Sequence, residues 1–343
     1  MEGLKHLLDG HKGRVFVITD TNVSRLVMTR LISCFPEVAR FPRFEIEPGE
    51  DNKSMATVKR IWEWLMDHDA ARTDLVLNIG GGMVSDTGGF AAATFKRGMP
   101  YANVSTTLLG AADASVGGKT GVNFGGVKNG IGAFAMPRLT VVFPDAFSTL
   151  PRRETLSGYG EIMKMALIAA PELLPELMDV ESALADYGFL GRMAKVSAMK
   201  KMEIVDRDPL EKDSRKVLNF GHTFGHALES LMAARGMPLP HGMAVAHGMV
   251  VAMILSRMLL GADSVWLYRI AGEIVSPYMK SPVVTCDDYP SLMELMRSDK
   301  KNAGDGNLRF VLLHAPGKPE ADVTVSPSDL LPALDIYRDL IFR

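Results

Sequence analysis

Seventeen residues, Asp113–Asn129 (DASVGGKTGVNFGGVKN), carry one carboxylate, two lysines, two asparagines, two hydroxyls and five glycines. Glycine adopts positive φ and lets a ligand approach the main chain closely. Lys119 and Lys128 supply point charges, and Asn123 and Asn129 supply amide donors. Phe124 is the one large side chain, so the run reads as a polar loop rather than a core element. Such a loop suits a compact, phosphorylated anion. A flexible connector is the bland alternative.

Three glycines, Gly80, Gly81 and Gly82, follow the apolar run DLVLNI and precede a helical pattern that begins near Ser85. A pyrophosphate can rest on main-chain N–H groups at such a helix N-terminus. The GxGxxG spacing is absent, so a tight structural turn is the competing reading. Asp86 either complements the helix dipole or meets a ligand. Ser105, Thr106 and Thr107 place hydroxyls where the next strand ends, the end at which ligands of parallel sheets bind. Lys96 and Arg97, in the intervening loop, are either ligand groups or surface charge.

In LNFGHTFGHALE, His222 and His226 lie four residues apart on one helix face, beside Asn219. Two imidazoles at this spacing can aim at one metal ion. The HExxH pattern is absent, because position 223 is threonine. His241, after Pro240, offers a third imidazole at the start of the next helix. Glu161, three residues from Lys164 on a shared face, supplies the carboxylate that would complete a catalytic zinc set. Core histidines and ordinary helix polar residues are the alternative. His247 is six residues past His241 and points to another face. Of the basic residues Lys200, Lys201 and Arg215, Arg215 is best placed to reach the cavity of Asn219 and His222. The run Asp299-Lys300-Lys301-Asn302 either drops a cation onto that site or is surface charge.

These residues need elements to hold them. The 343 residues suffice for two domains with proper cores. A formal net charge of -2 provides no global field for nucleic acid or an anionic membrane, so anion binding must be local. Cys34 and Cys286 fit neither a disulfide framework nor a metal spacing, which suits a reducing cytosol. MEGLKHLLDG lacks the apolar core of a signal peptide, and the run Met243–Leu255 is too short for a membrane span. A soluble, cytoplasmic protein is expected. Arg14–Thr19, Asp74–Ile79, Tyr101–Thr106 and Leu139–Pro144 read as strands, with helical candidates Asn22–Cys34 and Met55–His68 between them. After about Pro151 helical spacing dominates, in Leu156–Ile168, Met193–Ile204, Leu218–Ala234, Gly242–Leu260 and Ser328–Ile341. A short β pair, Leu308–Leu313 and Val323–Ser326, is the exception. The expected fold is α/β: a Rossmann-like parallel-sheet domain over 1–147, then a mainly helical domain over 148–343.

Taken together, GGGMVSDTGGFAAATFKRG, STTLLGAADASVGGKTGVN, KNGIGAF, GYGEIMK and LNFGHTFGHALE resemble the 3-dehydroquinate synthases of the sugar-phosphate cyclase superfamily, over roughly Glu50 to Leu313. The resemblance implies NAD and a divalent metal, Zn2+ with Co2+ as the alternative. It implies NAD contacts at Glu50, Lys53, Gly81, Gly82, Asp86, Thr106, Thr107 and Thr149, with Lys128 near both ligands. It implies metal ligation by Glu161, His222 and His241. It assigns Asp113, Lys119, Asn129, Lys164, Lys201, Arg215, Asn219 and His226 to the substrate, with either Lys300 or Lys301. Arg97 matches an arginine that reaches the substrate phosphate of a neighbouring subunit, which implies a homodimer.

The implied substrate is a phosphorylated keto-sugar acid, 3-deoxy-D-arabino-heptulosonate 7-phosphate. The implied chemistry is transient oxidation of a ring hydroxyl by metal and NAD, elimination of phosphate, re-reduction, ring opening and aldol closure. Lysines, Arg215 and His226 would steady the departing phosphate. The chain departs from the family pattern at Met243, commonly glutamate, and at Gly110-Ala111-Ala112, where many members carry bulkier or polar residues. Both departures predict altered packing around the site, not altered chemistry. Other readings are a cyclase making a valiolone, an aminodehydroquinate or a deoxy-inosose, a metal-dependent polyol dehydrogenase, and a non-catalytic binding module. The intact GGKTGVN with its later KN pair favours the dehydroquinate branch, which grips a carboxylate as well as a phosphate.

Overall fold

The computed structural model describes residues 2–298 and 307–342. The chain forms two compact units, the first running to Pro151 and adding Asp186–Ala198, the second taking Arg152–Ala185 and Met199 onward. In the first unit the strands are β1 (Val15–Asp20), β2 (Arg43–Ile46), β3 (Leu75–Gly80) and β4 (Tyr101–Ser105), then the hairpin β5 (Lys119–Phe124) and β6 (Val127–Phe134), then β7 (Thr140–Val142). A five-stranded, all-parallel sheet has the order β2-β1-β3-β4-β7. Its strands are apolar on both faces because both are covered. Val15, Val17, Leu75, Leu77 and Ile79 serve one core, while Phe16, Ile18 and Val76 serve the other. Strand order reverses between β1 and β3, and the Gly81-Gly82 turn lies at the carboxyl end of β3, beside that switch point.

The helix Gly82–Thr94 packs against both the sheet and the hairpin, so small residues must occupy its faces. A Cβ on Gly88 would stand 2.0 Å from Asn78 Oδ1, and one on Gly89 would stand 2.6 Å from Thr120 Cγ2. The second unit is mainly helical, built on Arg152–Ala169, the latter part of Tyr187–Arg207, His222–Ala234, His241–Leu260 and Pro327–Ile341. An antiparallel hairpin of β8 (Leu308–Ala315) and β9 (Lys318–Val325) joins them. The fold class is therefore the expected one.

Several elements differ from expectation. The Asp113–Asn129 segment is not a loop: after a π-helical turn at Gly110–Ala114 it becomes β5 and the start of β6. Gly125 and Gly126 both have positive φ, +58° and +79°, as a tight two-residue hairpin turn needs. Val122 is fully buried, so the segment contributes to the core after all. The helix expected near Ser85 begins at Gly82. Asn22–Cys34 is two helices, Thr21–Leu26 and Met28–Cys34, broken at Val27. Leu218–Ala234 is likewise divided, because Gly221 takes a left-handed conformation (φ +78°) between a 3-10 turn and the helix at His222. Strand β2 carries no clear signal in the sequence; it is short, with a partly exposed RFEI pattern. The apolar run around Met243–Leu255 belongs to a 20-residue helix that could cross a membrane by length and composition. In the structure every residue from Gly242 to Ser256 is buried in the second unit's core.

That central helix carries His247, fully buried and 2.6 Å by Nε2 from the Met279 carbonyl oxygen. A carbonyl only accepts, so Nε2 holds the proton and Nδ1 accepts from Tyr337 OH at 2.8 Å. Burial lowers the His247 pKa to about 4, whereas the unfolded ring titrates near 6.5. Folding therefore favours the neutral ring, a contribution complete above pH 6.5 and lost as pH falls from there towards 4. The whole contribution is about 3 kcal/mol. Denaturant unfolding of wild type should weaken between pH 7 and pH 5 more than that of His247→Gln. Parallel pH dependences would refute this account.

Candidate active site

In the second unit, Glu161 sits on the helix Arg152–Ala169 with no solvent exposure. Lys164, one helical turn on and 1% exposed, places Nζ 2.5 Å from Glu161 Oε2. Neither carboxylate oxygen accepts a hydrogen bond of regular geometry. His222 Nε2 lies 3.9 Å and His241 Nε2 3.6 Å from Glu161 Oε1. Ligand atoms arranged tetrahedrally at about 2.0–2.2 Å from one ion are roughly 3.3–3.6 Å apart. A buried carboxylate facing two imidazole nitrogens at nearly that spacing fits a divalent metal. His226 belongs to the same cluster, since nitrogens of His222, His226 and His241 all lie within 4.8 Å of one another.

The imidazoles are oriented from behind. His222 Nδ1 is 3.1 Å from the Phe220 carbonyl oxygen, and His241 Nδ1 is 3.1 Å from Glu229 Oε2. Both partners accept, so both Nδ1 atoms carry protons and both Nε2 atoms turn towards Glu161. Sequence alone assigns Glu229 no role. Yet residues 222, 226 and 229 follow the i, i+4, i+7 spacing of one helix face, a signal present in the motif.

Backbone contact between helices makes this convergence possible. A Cβ on Gly242 would lie 1.8 Å from the Ser157 carbonyl oxygen, and one on Gly160 would lie 2.2 Å from that of Gly242. Glu161 follows Gly160 and His241 precedes Gly242, so this crossing sets their separation. Gly248 packs in the same way on Gly221, the residue before His222. Met243, one of the two departures, is buried and apolar.

The other second-unit candidates lie around the 208–219 loop. Asp208 accepts the main-chain N–H groups of Lys212, Asp213 and Arg215 at 2.9, 2.7 and 3.1 Å. These hydrogen bonds, that of Lys212 foremost, hold its carboxyl below the usual range. The loop thereby fixes Arg215, which is 1% exposed and donates from Nη1 to the Pro209 carbonyl at 2.7 Å. Asn219 donates to Glu211 Oε1 at 2.9 Å and lines a pocket with Thr223, Lys216 and Arg309. Lys201 is buried. Lys300 and Lys301 lie outside the described residues.

The first unit holds the remaining candidates. Gly81 caps the helix Gly82–Thr94, and Thr107 Oγ1 accepts the Gly110 N–H at 3.0 Å beside it. A side chain on Gly110 would meet Ser105 Oγ at 2.5 Å, which accounts for the small residue there. The Thr106 hydroxyl is buried with no hydrogen-bond partner. Lys53, 5% exposed, pairs with Asp86 Oδ2 at 2.6 Å and stands 4.0 Å from Glu50. Asn123 joins them by donating to Glu50 Oε1 at 3.0 Å, and its Oδ1 accepts the Asn129 N–H at 2.9 Å. Glu50, Lys53, Asp86, Asn123 and Asn129 thus form one connected polar network. Lys119 and Lys128 are exposed on the hairpin, and Asp113 is half-buried in the π-helical turn. Thr149 donates to the Ala146 carbonyl at 2.7 Å. Lys96 is anchored to the Ala70 carbonyl at 2.7 Å, while Arg97 is exposed, and both have positive φ.

Fold and residue sets together define a class. The chain is similar to 2-epi-5-epi-valiolone synthase from Streptomyces hygroscopicus subsp. jinggangensis, solved with NAD+ and Zn2+ bound. The TM-score is 0.84 at 26% identity, covering 97% of this chain and 93% of that one. An iron-containing alcohol dehydrogenase shares the fold at TM-score 0.65 and 15% identity, covering 98% and 94%. The architecture is thus that of the sugar-phosphate cyclases. Within that class, residues 43–157 match the 3-dehydroquinate synthase N-terminal family and residues 158–302 the 3-dehydroquinate synthase C-terminal family. The 3-dehydroquinate synthase of Parabacteroides distasonis is 39% identical over 95% of this chain and 92% of its own length. That of Geobacter metallireducens is 39% identical over 88% and 84%. The chain belongs to the 3-dehydroquinate synthase family.

The helix crossing yields a direct test. Gly242→Ala should cost about 2–3 kcal/mol or more, because the clash is with backbone. Gly272→Ala, where a Cβ meets nothing within 4 Å, should change stability little. Thermal and denaturant unfolding of the two variants would measure both, and equal stabilities would show that the crossing tolerates a Cβ.

Proposed function

We propose that the chain converts 3-deoxy-D-arabino-heptulosonate 7-phosphate to 3-dehydroquinate and phosphate, as a phosphate-eliminating lyase of the cytoplasm. The observation that carries this reading is the buried Glu161 carboxylate facing His222 and His241, in a chain of this family. A divalent metal held there, Zn2+ or Co2+, would acidify a substrate hydroxyl, and NAD in the first unit would accept and return hydride.

The chain's own residues have separable tasks in this reading. Glu161, His222 and His241 hold the metal, and Lys164 offsets the charge of Glu161. Gly81 and Gly82 offer main-chain N–H groups to the pyrophosphate of NAD. The ion-paired Lys53 and Asp86, with Glu50, Thr106, Thr107, Lys128 and Thr149, line the dinucleotide. Asp113, Lys119, Asn129, Lys201, Arg215, Asn219 and His226 bind and orient the substrate. Arg215 is held with its charge already desolvated, so it can grip an anion without first losing water. Arg97 is assigned to the substrate phosphate of a second subunit. Consecutive positive φ at Lys96 and Arg97 supports this role, because strain of that kind persists where it serves to present a side chain.

Incubation with the heptulosonate phosphate, NAD and Zn2+ should release phosphate and form dehydroquinate with no net NADH. Accumulating NADH, or a valiolone-type product from a different sugar phosphate only, would redirect the assignment. Lys119→Ala should abolish turnover and leave NAD binding, followed by fluorescence titration, largely intact. Loss of NAD binding alone would mean that the hairpin serves the cofactor instead.

A further inference from the structure

Glu229 closes the motif LNFGHTFGHALE. It lies on the helix His222–Ala234, and its Oε2 is 3.1 Å from His241 Nδ1. Its side chain is 14% exposed, whereas that of His241 is 30% exposed. We propose that Glu229 is a positioning residue that fixes His241 as a metal ligand, an inference that rests on the metal reading above.

His241 is the less constrained of the two imidazoles facing Glu161. It opens its helix after Pro240, which provides no side-chain cap, and nearly a third of its side chain reaches solvent. His222 is oriented by a main-chain carbonyl that no substitution removes. For His241 the equivalent acceptor is a side chain. A ring flip would exchange Nδ1 with Cδ2 and Nε2 with Cε1, turning a carbon instead of a ligating nitrogen towards Glu161. The Glu229 carboxylate opposes that flip, because only Nδ1–H can donate to it in the observed rotamer. It also adds negative charge behind the ligand. A dication with Glu161, Lys164 and Glu229 sums to +1, whereas without Glu229 it sums to +2 in a largely desolvated place. Both effects favour the bound ion.

The test uses the full-length chain stripped of metal, with Zn2+ affinity measured by competition against a chromophoric chelator. Glu229→Ala should bind Zn2+ about 10–100-fold more weakly than wild type. Glu229→Gln retains a neutral acceptor for Nδ1–H and should lose less. The metal-free thermal midpoint of Glu229→Gln should match wild type, which separates loss of a positioning contact from general damage. If Glu229→Ala does not fold, Glu229→Gln decides: weaker Zn2+ binding at an unchanged metal-free midpoint supports the inference. Wild-type affinity in the folded variants overturns it and leaves the metal reading standing. A wild-type chain that binds no Zn2+ overturns both.

Discussion

Burying Glu161 without any exposure constrains the whole second unit. A carboxylate removed from water loses several kcal/mol of solvation, and Lys164 alone repays this only when held close with its own charge desolvated. Two histidine nitrogens within 4 Å add a second favourable term if a metal ion or a proton lies between them and Glu161. The three helices that carry these groups must therefore pass nearer to one another than ordinary side chains allow. Glycine at 160, 242 and 248 permits that approach, and Ser157 Oγ ties it by accepting the Gly242 N–H at 3.0 Å. Electrostatics and backbone packing are two sides of one requirement here. Loosening the crossing would leave a buried charge without its neighbours.

The first unit meets a related demand with neutral groups. Asn78 and Asn103 are buried within the parallel sheet and bond to each other at 3.0 Å. Asn103 then donates to the Ser115 carbonyl at 3.2 Å, in the segment that leads from Asp113 to β5. Burying such amides is costly unless they are paired, so this chain fixes the segment against the sheet. The glycine face of the helix Gly82–Thr94 fits over Asn78, which seats the N-terminus of that helix beside the end of β3. The Gly81-Gly82 turn is thereby placed by packing several residues away from it.

What the sequence reveals follows from which physics is local. Near-continuous apolar runs bounded by turn residues mark β1, β3 and β4 clearly, because burial on both faces leaves little room for polar side chains. Histidines at 222 and 226 and the late helices are legible for the same reason: helix spacing is a local property. The Asp113–Asn129 hairpin is not, since its five glycines permit a loop, and only the pairing of Lys119–Phe124 with Val127–Phe134 makes them strands. The break at Gly221 escapes a periodicity argument too, because it depends on the close approach of Gly248. Glu229 was visible as a spacing, but its role needed the position of His241, twelve residues away on another helix. Residue types suggested the site; distances between helices decided which of them meet.

The histidine cluster offers more donors than a catalytic ion can use. Glu161 with His222, His226 and His241 would give four protein ligands, and four close a tetrahedral site against substrate. Three would leave a position for an oxygen of the substrate, which the proposed chemistry calls for. Glu161 faces Nε2 of both His222 and His241, and the Nδ1 atom of each has its own acceptor. That arrangement supports these two, with Glu161, as the ligands of the proposed reading. In the proposed reading His226 would then be left beside the metal as an unligated imidazole. It would then be available to exchange a proton with a substrate hydroxyl or a departing phosphate, a task a ligated nitrogen cannot perform.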